Sequence, residues 1–418
     1  MKRGYKVRWR FSNMSNDTQP EIRFPGFTEA WEQRKLGDVV KFYSGLTYSP
    51  DNVQEEGTFV LRSSNVKNGE IVDADNVYVS HDVINSDNVQ EGDLIVVVRN
   101  GSRDLIGKHA QIKQQMDNTV IGAFMTGVRS ETPDFTNALL DTQQFAIEIS
   151  KNLGATINQI TTGAFKKMQF VVSKDKDERE SIGTFFRSID DTIALHQRKL
   201  DLLKETKKGF LQKMFPKNGA KVPEVRFPGF TEDWEQRKLG DESDVRDGTH
   251  DSPKYYDKGY PLVTSKNLKD FGLDLTNVSF ISDEDFEVIN KRSKVDIGDI
   301  LFGMIGTIGN PVLVDRVDFA IKNVALIKEQ KKILNSFLIQ ILKSPVFDKY
   351  INNENAGGTQ KFLSLSKVRD FNFLCPNIDE QNCISAFFKQ LDDTIALHQR
   401  KLDLLKEMKK GFLQKMFV

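Results

Sequence analysis

Cysteine is nearly absent from this sequence, which has two in 418 residues, Cys375 and Cys383. Two cysteines cannot build a disulfide framework, and their spacing without nearby histidines does not suit a zinc site. We therefore predict that both are small buried hydrophobic residues of a cytosolic protein. No run of 18 or more apolar residues occurs, which excludes a membrane-spanning helix and a membrane partner.

The sequence also lacks an excess of either charge, with 59 Lys and Arg against 59 Asp and Glu. This balance excludes a basic field over the whole protein, so any nucleic-acid surface has to be a local patch. The N-terminal segment MKRGYKVRWRFSN is basic but has no apolar stretch, which excludes a secretory signal. We expect residues 1–20 to be a disordered extension, with the natural start at Met1 or Met14. A basic arm that touches DNA is the alternative.

Motifs of common enzymes are missing as well. The segment GSRDLIGKH at 101–109 resembles a phosphate loop, but His109 stands where serine or threonine should hold the metal. The glycines of GMIGTIGN at 303–310 fit neither nucleotide fingerprint. The chain has no Pro-Pro pair, so it lacks the catalytic corner of amino-methyltransferases, and it has no zinc-protease or serine-hydrolase pattern. We predict that this chain carries no catalytic residue, no metal and no cofactor.

What the sequence does contain is a tandem duplication. The segment DDTIALHQRKLDLLKETKKGFLQKMF at 190–215 recurs at 392–417 with a single difference, and IRFPGFTEAWEQRKLG at 22–37 recurs at 225–240 with two. A period near 200 residues is too long for a solenoid and predicts two domains of one kind. The sequence between the matched segments has diverged, which indicates one scaffold that presents two different binding domains.

The repeated connectors are predicted to be long helices, over 181–215 and 383–417. Their apolar residues recur with alternating spacings of four and three, the heptad pattern of a coiled coil. Two near-identical helices can pair antiparallel about a pseudo-twofold axis, with one diverged domain at each end. Leu195 and Leu202 form a second stripe that leaves a face for another partner. The predicted seam between the helices consists of Ile189, Ile193, His196, Leu200, Leu203, Phe210, Ile395, His398, Leu402, Leu405 and Phe412.

The diverged domains are predicted to be of mixed α/β (α+β) class. Helical patterns occupy equivalent places at 135–153 and 333–353, and Pro345 should bend or break the second. Short β-branched runs bounded by Gly, Asn and Asp predict strands at 58–61, 94–98, 119–121, 170–173, 261–264, 299–302, 312–314 and 324–327. The predicted organisation is an extension at 1–20, recognition domains at 21–180 and 218–382, and spacer helices at 181–217 and 383–418.

Polar and basic loops are the remaining candidates for function. Arg and Lys suit guanine, Asn and Gln suit adenine, and Ser and Thr suit either a base or a phosphate. Non-identical loops on a symmetric frame are typical of a reader of a split, asymmetric DNA site. The candidate contacts of the first domain are Arg62, Ser64, Asn65, Arg99, Asn100, Ser102, Arg103, Lys108 and Lys166. Those of the second domain are Arg246, Thr249, His250, Lys254, Tyr255, Lys266, Asn267, Thr359, Gln360 and Lys361.

The order of these segments resembles the specificity subunit of bacterial type I restriction–modification systems. The resemblance rests on P-E-[IV]-R-F-P-G-F, W-E-Q-R-K-L-G-D and D-D-T-I-A-L-H-Q-R-K-L-D-L-L-K, each present twice in the same order. It implies that each recognition domain reads half of a bipartite site in double-stranded DNA and that the helices act as a ruler. It also implies two docked copies of a DNA adenine methyltransferase and further restriction (translocase) subunits.

In that family the partners perform the chemistry and use S-adenosylmethionine, ATP and Mg²⁺, so the resemblance implies a non-catalytic chain in the bacterial cytoplasm. Two other interpretations of the residues stay open. One is a ligand-binding scaffold with two modules on a coiled coil, and the other is a free-standing DNA-binding regulator. The scaffold accounts for the duplication but not for the divergence of the domains between matching connectors.

Overall fold

The computed structural model of the chain divides into two compact units. The first unit comprises Met1–Leu195 and Leu402–Val418, and the second comprises His196–Lys401. Each unit therefore contains one diverged domain and a part of both long helices. The structure describes residues 10–11, 18–153, 158–217, 219–270, 272–306, 308–330, 332–354 and 362–418.

The two repeated connectors are continuous helices, Lys176–Lys213 and Ile378–Met416. Both begin about five residues before the predicted positions, because side chains ahead of the heptad pattern cap them. The Asp175 carboxylate accepts a hydrogen bond from the Asp177 amide at 2.8 Å, and the Asn377 amide oxygen accepts one from the Glu380 amide at 3.0 Å. Such caps satisfy amides that the first helical turn leaves without partners.

The two long helices run antiparallel within each unit. In the first unit Phe185 packs edge-on against Phe412, with ring centroids 5.0 Å apart, and Asp190 pairs with Lys409. Because the residue number rises along one helix as it falls along the other, the directions are opposed. In the second unit the same order appears for the pairs His196–His398, Lys207–Asp392 and Phe210–Phe387.

Burial along the helices follows the heptad. The side chains of Leu200, Ile395 and Leu402 are buried, with relative exposures of 1–2%, whereas Leu195 and Leu202 are exposed by 61% and 56%. The Nδ1 atoms of His196 and His398 are 3.0 Å apart. The other residues of the predicted seam are half-buried: Ile189, Ile193, Leu203, Phe210, Leu405 and Phe412.

The diverged domain of the first unit is built on two small sheets. One is antiparallel, in the order His109–Gln111, Leu94–Val97, Met125–Ser130 and Val40–Ser44. The other has the order Thr119–Ile121, Thr58–Leu61, Tyr78–Val79 and Val53–Gln54, and its first pair is parallel. Two-stranded ladders join Glu32–Lys35 to Gln169–Val172 and Val66–Lys67 to Glu70–Ile71.

The second unit repeats this topology, with three strands instead of four in its second sheet. Its antiparallel sheet has the order Gly309–Leu313, Ile300–Gly303, Val324–Ile327 and Val245–Asp247, and Ala320–Ile321, Tyr260–Val263 and Ser279–Ile281 form its second sheet. Two-stranded ladders again join Glu235–Lys238 to Asn372–Cys375 and Leu268–Lys269 to Gly272–Leu273. The eight predicted strands therefore exist, most of them within one residue of their predicted bounds, while the polar EQRK strands were missed.

The helical hairpins show one correction. We predicted a single helix over 135–153, but the structure has Pro133–Leu140 and Gln143–Asn152. Thr142 breaks it, because its hydroxyl caps the next helix by accepting from the Phe145 amide at 3.2 Å. The predicted break at Pro345 is confirmed, between Asn335–Leu342 and Pro345–Glu354.

Shorter helical segments complete each unit. In the first unit they are Leu36–Val39, Pro50–Asn52, Ser63–Asn65, His81–Val83, Arg103–Leu105 and Thr162–Lys167. In the second unit they are Leu239–Glu242, Ser265–Asn267 and Leu365–Arg369, together with the longer helix Asp283–Ser293.

Each core is completed by the end of a long helix that begins in the other unit. Phe417 belongs to the core of the first unit, with its ring centroid 6.2 Å from that of Trp31 and 5.4 Å from that of Phe135. Phe215 holds the same place in the second unit, 6.2 Å from Trp234 and 6.0 Å from Phe337. Since full burial of a phenylalanine contributes roughly 1.5–3 kcal/mol, these exchanged ends are a substantial part of each core.

Three expectations about smaller features can be compared with the structure. Within the expected N-terminal extension, Arg10–Phe11 forms a two-residue strand against Ile22–Arg23. Cys375 is buried as predicted, but Cys383 is exposed on the second long helix, so that prediction was wrong. Among the described residues, no helix is long and apolar enough to cross a membrane, and no group of three or more metal-ligating side chains occurs.

Candidate nucleic-acid interface

Two predicted polar loops of the first unit, those around Ser63 and Asn100, meet at one edge of the parallel strand pair. Strands Thr58–Leu61 and Thr119–Ile121 are parallel, so their carboxyl ends lie at the same edge, where ligands of open α/β sheets commonly bind. The loop after Ser44 reaches this edge through a hydrogen bond from the Leu46 amide to the Ile121 carbonyl at 2.7 Å. Gly45 is required there, because a Cβ would lie 2.0 Å from the Gly122 oxygen.

An arginine, an aromatic ring and an amide form the centre of this edge. The Val98 and Arg99 amides both donate to the Phe124 carbonyl, and the Arg99 guanidinium lies 4.9 Å from the centroid of the Phe124 ring. The Asn100 amide donates to the Ser63 hydroxyl at 3.0 Å. Phe124 is 51% exposed although it is a large apolar side chain. Arginine and aromatic surfaces held in this way suit phosphates and base faces.

The predicted contacts Arg99, Ser102, Arg103, Lys108 and Lys166 are exposed, and Ser64 is exposed on the neighbouring turn. Neither Arg99 nor Arg103 forms an ion pair with a carboxylate of the described chain, so both charges are available to an anionic ligand. By contrast, Arg62 is bound to the Asp75 carboxylate at 2.5 Å, which neutralises it.

Two predicted contacts are structural instead. Asn65 is completely buried: its side-chain oxygen accepts from the Arg62 amide at 2.9 Å, and its nitrogen donates to the Ala74 carbonyl at 2.7 Å. In the second unit the side-chain oxygen of buried Asn267 accepts from the Thr264 amide, and its nitrogen donates to the Asp274 carbonyl. The prediction that they contact DNA is therefore corrected, because these buried amides fix the 3-10 turns that support the edge.

The equivalent edge of the second unit is cationic in a different way. The His250 Nδ1 atom is 2.8 Å from the Asn323 amide oxygen, and its Nε2 atom is 2.9 Å from the Asp247 carboxylate. Because both partners accept, both ring nitrogens donate, as in a protonated imidazole. The hydrogen bond to Asn323 and that to Asp247 raise the pKa of His250. Lys322 donates to the Ser252 hydroxyl at 2.6 Å, which adds a second cation.

The remaining predicted residues of the second unit are spread around this edge. Lys254, Tyr255 and Lys266 are exposed, and Lys254 lies over the Tyr256 ring at 5.4 Å. Thr249 is half-buried, and its backbone is held by the Ile321 carbonyl at 3.0 Å. Arg246 is paired with Asp244 at 2.6 Å. Thr359, Gln360 and Lys361 lie outside the described residues.

Sequence reasoning missed four side chains that the fold brings to these edges: Phe124, Arg292, Lys322 and Asn323. Arg292 reaches the edge by pairing with Asp247 from the end of helix Asp283–Ser293. The others lie in the short turns after Thr119–Ile121 and Ala320–Ile321, and that position after a β-branched strand was the available signal. The first turn contains Phe124 where the shorter second turn contains Lys322 and Asn323, so the two edges present different chemistry.

Comparison with known proteins identifies the family to which this chain belongs. The family model described as type I restriction modification DNA specificity domain matches the chain twice, at residues 28–205 and 231–407. Together these matches cover most of the chain. The chain belongs to that family.

Curated relatives carry the same designation. The chain is 22% identical over 297 residues to the type I restriction enzyme EcoKI specificity subunit of Escherichia coli K12, covering 66% of this chain and 61% of that protein. It is 27% identical over 197 residues to the putative type I restriction enzyme MjaX specificity subunit of Methanocaldococcus jannaschii, covering 44% of this chain and 46% of that protein. The matches thus span less than two thirds of either relative.

A solved structure shows the same fold over nearly the whole length. It is the S subunit of a type I restriction–modification system from M. genitalium, with a TM-score of 0.67 and 14% sequence identity. The comparison covers 96% of this chain and 99% of the other. At this identity the likeness concerns the fold alone.

Proposed function

We propose that this chain is the sequence-reading subunit of a type I restriction–modification complex and reads a bipartite, asymmetric site in double-stranded DNA. One observation carries the proposal: two edges with different cationic and aromatic residues occupy the same topological position on a duplicated frame of this family. The first edge offers Arg99, Arg103 and Phe124, and the second offers His250 and Lys322. Two dissimilar edges would read two dissimilar half-sites.

The balanced charge of the chain supports a shared role in binding. With zero formal net charge, the edges supply only a few of the phosphate contacts that dominate affinity for DNA. We therefore propose that partner subunits contribute much of the affinity, while this chain contributes the selection of sequence. In this proposal the partners use S-adenosylmethionine, ATP and Mg²⁺, and this chain is non-catalytic and acts in the bacterial cytoplasm.

The exposed leucines of the long helices are the proposed docking surfaces for the methyltransferase. The first unit carries Leu195 and Leu404, and the second carries Leu202 and Leu397, with relative exposures of 48–61%. Each unit thus offers one such leucine from each helix, in nearly identical sequence surroundings. Repeated exposed apolar residues indicate a protein interface. Two near-identical surfaces support two methyltransferase copies, and restriction subunits would join through them.

The test replaces residues 38–180 with the corresponding domain of another family member and co-expresses the chain with its methyltransferase in a host without other such systems. Methylome sequencing should show adenine methylation at a split site in which only one half has changed. The reciprocal replacement of 241–382 is the matched control and should change only the other half. A simultaneous change of both halves would contradict independent reading.

The same material separates the alternatives. A free-standing regulator would bind its specific site without the methyltransferase. A ligand-binding scaffold would show no salt-dependent DNA binding even with the methyltransferase present.

A further inference from the structure

A cavity in the second unit is lined by four lysines. Its volume is about 480 Å³, and it lies beside the C-terminal part of helix Lys176–Lys213 and the turn before Pro345–Glu354. Its charged lining consists of Lys204, Lys207, Lys208 and Lys343 together with the carboxylates Asp270, Asp348 and Asp392.

The unusual member of this group is Lys343. It forms the C-cap of helix Asn335–Leu342 and is half-buried. Its ammonium lies 3.5 Å from the Asp270 carbonyl oxygen, and no carboxylate of the described residues is within ion-pair distance. Burial lowers the pKa of Lys343, and the neighbouring Lys207 charge lowers it further. A desolvated ammonium without a counter-ion is costly, so the arrangement favours an anion that enters the cavity.

In the first unit the equivalent lysine of the long helix is paired with two carboxylates. There, the residue at the same helix C-cap is Asp141, and the lysine of the second long helix is Lys409. The Lys409 ammonium lies 2.6 Å from the Asp141 carboxylate and 2.5 Å from that of Asp190. The second unit retains only one of these two ion pairs, Lys207 with Asp392 at 2.6 Å. Changing aspartate to lysine at the C-cap therefore shifts the local charge by two.

We propose that this cavity is a binding site for a phosphate group, held by Lys343, Lys207 and Lys208. A phosphate offers several acceptor oxygens to ammonium groups on different elements, and lysine serves as a point-charge donor for it. The Asp392 carboxylate already balances part of Lys207. The Asp270 and Asp348 side chains also line the cavity and oppose an anion there.

Two sources could supply this phosphate, a small phosphorylated solute or the backbone of DNA bound by the complex. The first source is independent of the function proposed above, and the second rests on it. The experiment therefore begins with the full chain alone, without DNA, and titrates inorganic phosphate and pyrophosphate at constant ionic strength. Isothermal titration calorimetry and ³¹P nuclear magnetic resonance provide the readouts.

The test variant is Lys343→Asp, which gives the second unit the charge found in the first and should leave the thermal midpoint unchanged or raised. We expect phosphate affinity to fall at least about tenfold in this variant. Lys349→Asp makes the same charge change on the exposed surface of the next helix, outside this cavity, and should bind like the unaltered chain. Lys343→Met removes the charge without adding one and should lose phosphate binding as well.

The second arm uses the complex with the methyltransferase and DNA. If free phosphate does not bind, the proposal requires Lys343→Asp to reduce the slope of log affinity against log salt by about one, as for the loss of one phosphate contact. That result assigns the cavity to the DNA backbone. Absence of phosphate binding together with an unchanged salt slope overturns the proposal. If the complex fails to bind DNA at all, the phosphate titration decides alone.

Discussion

The two units are copies of one frame, and one difference between them lies around a glutamate that both units share. In the first unit Glu178 accepts hydrogen bonds from Arg23, from the Trp31 indole at 3.0 Å and from the Ser173 hydroxyl at 2.5 Å. In the second unit Glu380 accepts from Arg226, and proline 376 stands in the place of the serine.

The indole of Trp234 illustrates the consequence. Its nitrogen has no hydrogen-bond partner among the described residues, although the side chain is as deeply buried as that of Trp31. The sequences around the two tryptophans are nearly the same. The hydrogen bonding of the two indoles nevertheless differs. The two frames tolerate this difference because aromatic packing on Phe417 and Phe215 is present in both.

The largest expected effect is the removal of an exchanged helix end. Phe417→Ala should destabilise the first unit by about 3–5 kcal/mol, because a buried ring leaves a cavity among aromatic neighbours. Phe215→Ala should do the same to the second unit. Hydrogen-exchange mass spectrometry should show each loss of protection in one unit only. Equal loss of protection in both units after either change would show that the units do not unfold separately.

Substitution of the glutamate shared by both units should destabilise the two units by different amounts. Glu178→Ala leaves a buried guanidinium and an indole without their acceptor, which should cost about 3–5 kcal/mol. Glu380→Ala should cost about 1–3 kcal/mol, because Arg226 keeps its hydrogen bond to the Glu232 carbonyl. Denaturant titration of both variants measures the difference. A larger loss for the second variant would refute this ranking.

The tryptophans provide the most closely matched pair of substitutions. Trp31→Phe removes a hydrogen bond as well as ring volume, whereas Trp234→Phe removes ring volume alone. We expect the first change to cost about 1 kcal/mol more than the second. The two midpoints in urea, determined by circular dichroism, provide the test. Equal costs would mean that the indole hydrogen bond contributes no net stability.

The smallest expected effect concerns the pH dependence of stability, to which His109 and His398 contribute with opposite sign. Burial lowers the pKa of His109, but its hydrogen bond to Asp141 outweighs this, and the net shift is upward. A raised pKa gives the first unit stability that is full below pH ~6.5 and is lost as the pH rises through the folded value. Burial and then the charge of His196 lower the pKa of His398. His398 therefore gives the second unit stability that is lost as the pH falls below ~6.5, whereas His250, whose pKa is raised in the same unit, has the opposite effect.

Exchange protection measured from pH 5.5 to 8.5 in a His250→Gln chain, corrected for intrinsic rates, should show the trends of His109 and His398. His109→Gln should remove the trend of the first unit and leave that of the second. His398→Gln should do the converse. Parallel trends in the His250→Gln chain would contradict this assignment.

Particular residues show how far the sequence determined this result. The heptads predicted the long helices, and Pro345 predicted the break in the second hairpin, because both act through local geometry. The EQRK strands were missed because they alternate no apolar residues and exist only through pairing with the strand before each long helix. The break at Thr142 was missed because a threonine cap competes weakly with a helical pattern.

Local sequence also identified some candidate contacts, whereas others depend on tertiary structure. Loop composition identified Arg99 and His250 as candidates, but it could not show that Asn65 and Asn267 are buried supports. It also could not assign Phe124 to the first edge, because an apolar residue between strands is ordinarily expected in the core. The assignment of Phe417 to the first unit depends wholly on tertiary pairing.

The exchanged helix ends also set an order of completion during synthesis. Phe417 is added to the growing chain about 390 residues after Trp31, which corresponds to roughly 20–80 s at ribosomal speeds. The first unit is thus begun earliest and completed last, whereas Phe215 is already present when Trp234 is made. Until Phe417 is made, its site in the first unit is empty. The nearly identical segment around Phe215 of a neighbouring nascent chain can occupy that site, which would produce a domain-swapped pair.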